Sequence, residues 1–205
     1  MPSQTFAALS LFPLHTVLFP DGLLSLKVFE ARYLDLIAEC MRERRPFGVV
    51  ALKQGSEAGK HAAAVSFEAV GTLAELIDVD SAQAGILQVR CRGTERFETS
   101  TSRQLDDGLW VARAQTLAAD VIVAPPDSML ESVKGLASAI ATLKAQKQSP
   151  FLTPFRFESA GWVANRWCEI LPISAAAKQK LMELPDPQLR LQLVDEFLRG
   201  KGVVG

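Results

Sequence analysis

The sequence predicts an α+β chain: a mostly antiparallel sheet that curls or closes, interrupted early by one helix, followed by a small helical bundle. Three observations carry this. Short apolar segments separated by turn signals follow one another at close spacing as far as Ala114. From Glu30 to Arg45 the apolar period shifts from two to that of a helix. Beyond Pro125-Pro126 every apolar stripe has helical spacing. The expected division is a sheet domain over residues 1–124 and a helical domain over residues 125–205.

In chain order, Leu11, Phe12 and Leu14 open the first strand, and Val17-Leu18-Phe19 is a second apolar run. Pro20-Asp21-Gly22 supplies a turn with a residue tolerant of positive φ. Leu24, Leu26 and Val28 alternate with Ser25 and Lys27 as in a half-buried strand. Tyr33, Leu34, Ile37, Ala38 and Met41 make one helical stripe. Arg42, Arg44 and Arg45 close that helix at the negative end of its dipole, and Pro46 stops it. Phe47 to Leu52 resumes as a strand. Lys53 to His61 reads as a polar surface loop. It is not a phosphate-binding P-loop: its glycines are one residue too close, and His61 stands where a hydroxyl would hold magnesium.

Val65 to Ile77 is the next expected strand, with Gly71 marking a bulge or bend. A turn is expected from Asp78 to Gly85, then a strand from Ile86 to Arg92 ended by Gly93. Further strands start at Arg96 and, after Asp107-Gly108, at Leu109. The helical part opens with Asp127 as N-cap of a helix reaching about Gln148. A second helix spans Ser159–Ile170 and a third runs from Ser174 through Leu184. The last begins at Asp186-Pro187, an N-cap followed by proline at the first helical position, and its stripe holds Leu189, Leu193, Val194, Phe197 and Leu198.

Composition narrows the function classes. The chain has 205 residues, 48% of them hydrophobic and 22% charged, which is enough to bury a core without disulfides or metal. A net charge of −1 argues against a nucleic-acid partner. No apolar run is long enough to span a membrane, and the first residues lack the basic region of a signal peptide, so a cytoplasmic location is expected. Cys40, Cys91 and Cys168 are widely spaced with no C-x-x-C pair, and read as small buried hydrophobes in a reduced compartment.

Few residues point to chemistry. His15 and His61 are the only histidines, too few for a zinc site, and no G-x-S-x-G elbow is present. No catalytic, metal or cofactor residue is expected. Glu30 stands at a helix start, where it caps the helix or pairs with an arginine such as Arg32 or Arg96; a general-base role is the weaker alternative. Arg90 and Arg92 share a strand face balanced by Glu95 and Glu98. Trp162 and Trp167 fit burial in the bundle better than a ligand pocket.

A set of motifs carries a resemblance. Phe12-Pro13-Leu14, then Val17-Leu18-Phe19-Pro20-Asp21-Gly22, then the L-x-L-x-V-F-E-x-R-Y-L of residues 24–34 and the Phe47-Gly48-Val49-Val50 segment resemble the amino-terminal substrate-binding domain of the Lon ATP-dependent protease. Val70-Gly71-Thr72-Leu73-Ala74, Gly93 to Phe97, and Lys178, Gln179, Leu181, Glu183, Asp186, Arg190 and Leu191 extend it over about residues 9–198. The resemblance implies a PUA-like β-barrel followed by a helical subdomain. It also implies a role in substrate recognition and assembly, with ATP hydrolysis and peptide cleavage carried by other domains. The sequence has no P-loop and no room for a Ser-Lys protease domain, so the expectation is a stand-alone form of this domain.

The functional expectation is thus a non-catalytic module that binds unfolded polypeptide or a protein partner. Phe12, Phe19 and Leu23 are expected as exposed apolar contacts near the sheet rim, with Glu30, Arg32 and Arg96 as further binding candidates. An RNA-binding PUA-like domain, or a small-molecule enzyme with a pocket between barrel and bundle, is the alternative.

Overall fold

Ile86–Gln104 forms the spine of the first half of the chain, a 19-residue strand that two other sets of strands share. The computed structural model describes residues 3–54 and 65–205. Among them the strands are β1 (Thr5–Leu14), β2 (Leu23–Val28), β3 (Phe47–Gln54), β4 (Ser66–Phe67), β5 (Val70–Gln83), β6 (Ile86–Gln104) and β7 (Trp110–Thr116). The helices are α1 (Ala31–Glu43), α2 (Leu130–Ala145), α3 (Ala160–Ile170), α4 (Ala175–Glu183) and α5 (Pro187–Gly200). The chain divides into two compact units, Met1–Ala118 and Ala119–Gly205.

In the first unit, β5 pairs along one edge of β6, while β2 and β7 follow one another along the other. The path β1–β7–β6–β5–β3 returns to β1 because β1 and β3 also pair, in parallel, from Leu11↔Gly48 to Leu14↔Ala51. The sheet is therefore mixed, with every other strand pairing among the described residues antiparallel. One core cluster, under α1, joins Phe12, Tyr33, Leu36, Ile37, Phe47, Val89 and Cys91; a second gathers Leu9, Leu11, Val50, Leu73 and Phe97.

Several boundaries differ from the sequence reading. β1 starts at Thr5, six residues before its apolar run, because backbone pairing to β7 from Thr5↔Gln115 needs no apolar alternation. Val17-Leu18-Phe19 is buried but is not a strand. The turn expected over Asp78–Gly85 is strand as far as Gln83, since polar residues are tolerated where a ladder is exposed. Gly93 does not end a strand: β6 runs through it, paired with Ala74 of β5 and donating to the Gly22 carbonyl, and the residue is glycine because a side chain there would lie 2.3 Å from the Phe19 carbonyl oxygen. The irregularity expected at Gly71 falls between Thr72 and Ala74. Lys53 and Gln54 end β3 rather than open a loop; the remainder of that loop, with His61, lies outside the described residues.

The α1 stripe is also rotated from the expected one. Tyr33, Leu36, Ile37 and Cys40 are buried, whereas Ala38 and Met41 face solvent, Met41 at 54% exposure. The i, i+3, i+4, i+7 set contains Leu36 and a cysteine acting as a small hydrophobe. Arg44 closes the helix in the left-handed region with φ 52°.

In the second unit Ser159 caps α3 by accepting from the Trp162 amide at 3.3 Å, and Ser174 caps α4. Asp186 caps α5 by accepting from Gln188 and Leu189, with Pro187 following. Asp127 does not cap α2: it begins a 3₁₀ turn, Asp127–Met129, and α2 starts at Leu130 without a side-chain cap. Trp162 and Trp167 are buried; Trp162 packs on Phe155 and Phe157, and Trp167 donates to the Ser132 carbonyl at 2.9 Å.

Candidate functional site

Backbone pairing with β6 decides which edge of β2 stays free. The Gly93 amide donates to the Gly22 carbonyl at 2.9 Å, so in the register Leu23↔Arg92 to Val28↔Leu87 the hydrogen-bonded positions are Leu24, Leu26 and Val28. Leu23, Ser25 and Lys27 therefore direct their N–H and C=O groups away from β6. Among the described residues β2 pairs with no other strand.

Beside β2 lies a groove of about 250 Å³ lined by Phe12, Leu14, Tyr33 and the run Ser25 to Glu30. Phe12 arrives from the end of β1 and Tyr33 from the first turn of α1, and their rings stack at 3.9 Å with planes 10° apart. Phe29 follows β2 with 57% of its surface exposed. Lys27 is exposed, and no ion pair engages it among the described residues.

Arg32 holds this end of the unit together. Its guanidinium pairs with Glu30 at 2.9 Å, lies 4.6 Å from the Tyr33 ring centroid and donates to the Gly108 carbonyl at 2.7 Å. Gly108 has φ 90°, and a side chain there would come 2.9 Å from Arg32 Nη1. Glu30 sits at the N-cap position of α1 but makes no side-chain cap, so its partner is Arg32.

The expected exposure of Phe12 and Phe19 is corrected: Phe12 is buried at the groove floor, and Phe19 is fully buried. Phe12 sits in β1, which pairs with the distant β3, and Phe19 sits at a turn where its carbonyl accepts from the Gly22 amide at 2.9 Å. Leu23 is half-buried on β2. Arg96 lies away from the groove lining, buried, and donates to the Ala118 carbonyl at 3.0 Å. The structure brings Glu30 and Arg32 together and leaves Arg96 apart. Reading by sequence missed Leu26, Lys27, Phe29 and Tyr33 as groove residues. The signal was present at Phe29, because alternation that places Val28 inward places an aromatic outward.

A larger cleft of about 550 Å³ lies between the end of α1 and β5, lined by Cys40, Met41, Arg44, Arg45 and Glu75 to Val79. It holds four charged residues of both signs and no aromatic residue. The β2 groove holds three aromatics, and its carboxylate is already paired. Aromatic anchors in a desolvated groove carry binding energy better than mixed charge, so the β2 groove is the stronger site. Burial pushes the Cys40 thiol up to about 11, and the Cys91 and Cys168 thiols to about 12, so none is a ready nucleophile. Among the described residues no group of three or more histidines, cysteines and carboxylates is placed to hold a metal. No helix among them is long and apolar enough to cross a membrane.

The fold is that of Lon N-terminal domains. It matches a Lon N-terminal domain protein from Xanthomonas campestris with a TM-score of 0.69 and 31% identity, over 92% of this chain and 97% of that one. The N-terminal domain of the Mycobacterium avium complex Lon protease shares the fold at a TM-score of 0.61 and 12% identity, over 94% of this chain and 98% of that one. Residues 8–200 match the substrate-binding domain of ATP-dependent protease La (LON), and the chain belongs to that family. It is 25% identical over 188 residues to the Lon protease of Syntrophus aciditrophicus (strain SB), covering 87% of this chain but only 23% of that protein's length.

Proposed function

We propose that this chain is a non-catalytic module that holds segments of polypeptide, with the β2 groove as its contact surface. One observation carries the reading. Phe12 and Leu14 from one motif, and Leu26, Val28, Phe29 and Tyr33 from another, meet around one apolar groove beside a strand edge that pairs with no other strand among the described residues. These are residues on which the family resemblance rests, and family membership supports a polypeptide partner. The closed strand path supports reading residues 1–124 as a PUA-like barrel, and α2 to α5 support reading residues 125–205 as a helical bundle. A cytoplasmic location belongs to the same proposal.

The test is titration of a fluorescently labelled, permanently unfolded polypeptide with the full chain, beside the same polypeptide in its native state. Saturable binding of the unfolded form alone is expected, and it weakens when Phe29 is replaced by alanine. Absence of binding at every attainable concentration removes the reading.

A further inference from the structure

Resting on that reading, we infer that the guest is bound as an added β-strand along the outer edge of β2, and that Lys27 selects a guest with a carboxylate beside its apolar residues. The backbone supplies the first half of the argument. Leu23, Ser25 and Lys27 each present an N–H and a C=O outward, at the two-residue spacing that an extended chain repeats. A guest in register satisfies these groups and turns alternate side chains toward the groove, where Leu26, Phe29 and the stacked Phe12 and Tyr33 receive them.

Charge supplies the second half. Among the described residues two side chains charged at neutral pH, Lys27 and Glu30, line the groove. Glu30 is neutralised by Arg32 at 2.9 Å, which leaves Lys27 as the charge a guest meets. Lysine on an open edge discourages pairing between identical edges, and a carboxylate on the guest removes that penalty. The occupant is therefore an extended segment that alternates apolar and polar residues and carries an aspartate or glutamate.

Backbone methylation tests this with the full chain. Three short labelled peptides share one alternating valine–threonine sequence with a single glutamate. One is unmodified, one is N-methylated on the odd residues and one on the even residues. Strand addition predicts that one methylated peptide loses affinity by about tenfold or more while the other binds like the unmodified peptide, since a single alternate set of amides faces β2. Ser25→Pro removes one outward donor without touching the bonds to β6, and is expected to fold and to weaken the peptide similarly. Lys27→Glu shifts preference a few-fold toward a lysine-bearing peptide. Equal binding of both methylated peptides overturns the inference and leaves polypeptide binding intact. So does a photocrosslink that maps to Leu76–Val79 in the larger cleft. Should neither the peptides nor the unfolded polypeptide bind, the underlying reading falls as well. If Ser25→Pro does not fold, the methylated pair still decides.

Discussion

Phe12 and Tyr33 lie face to face with ring centroids 3.9 Å apart, joining the end of β1 to the start of α1 at the floor of the groove. The stack is core as well as site. Phe12→Ala removes a whole buried ring and is expected to lower the unfolding free energy by about 3–5 kcal/mol. Urea unfolding followed by circular dichroism measures it, and a loss under about 1 kcal/mol would mean that the ring is not packed as described.

Phe29 is the counterpart that separates binding from stability. It is more than half exposed, so Phe29→Ala is expected to change stability by no more than about 0.5 kcal/mol. The same variant weakens the unfolded-polypeptide complex. Unchanged affinity together with unchanged stability would remove Phe29 from the contact surface.

Gly108 is held by conformation and by a neighbour. Its φ of 90° suits glycine, and Arg32 Nη1 fills the space beside it. Gly108→Ala is expected to cost more than about 1 kcal/mol, read as a lowered melting temperature. A wild-type melting temperature would contradict the packing of Arg32 against the turn.

Arg190 grips Asp120 through two hydrogen bonds, 2.5 and 3.2 Å, and also donates to Asn165 and to the carbonyls of Leu181 and Leu184. Asp120→Ala leaves a buried guanidinium without its carboxylate. The expected loss is about 3 kcal/mol, at the low end for a broken buried pair because the carbonyl contacts remain. Tryptophan fluorescence during unfolding reports on it through Trp162 and Trp167.

The three thiols give stability a pH dependence of fixed sign. Each is raised above its ordinary 9.0, to about 11 or 12, because burial penalises the thiolate. The unfolded chain then gives up these protons first, so the cysteine contribution is intact below pH 9 and declines as pH rises toward 11–12. Unfolding measured with each cysteine replaced by alanine should show a shallower decline above pH 9. A thiol reagent at pH 8 is expected to label the denatured chain and spare the native one.

Elements set by neighbours in the chain were legible without coordinates. The Leu24–Val28 alternation, the helix after Glu30, the change to helices beyond Pro125-Pro126 and the Asp186-Pro187 start of α5 all rest on side-chain period or capping within a few residues. The Lon resemblance was legible for the same reason, since its motifs are short and in order, and the match over residues 8–200 agrees with it.

Tertiary pairing decided the rest. Ring closure joins β1 to β3 in parallel, and β6 continues through Gly93 because Ala74 and Gly22 pair with it. Neither contact leaves a trace in local periodicity. Phe12 looked like an exposed contact and became a groove floor when Tyr33 covered its face. Alternation tells which side chains of a strand point inward, whereas the free edge of β2 depends on which strands, distant in the chain, use up its hydrogen bonds.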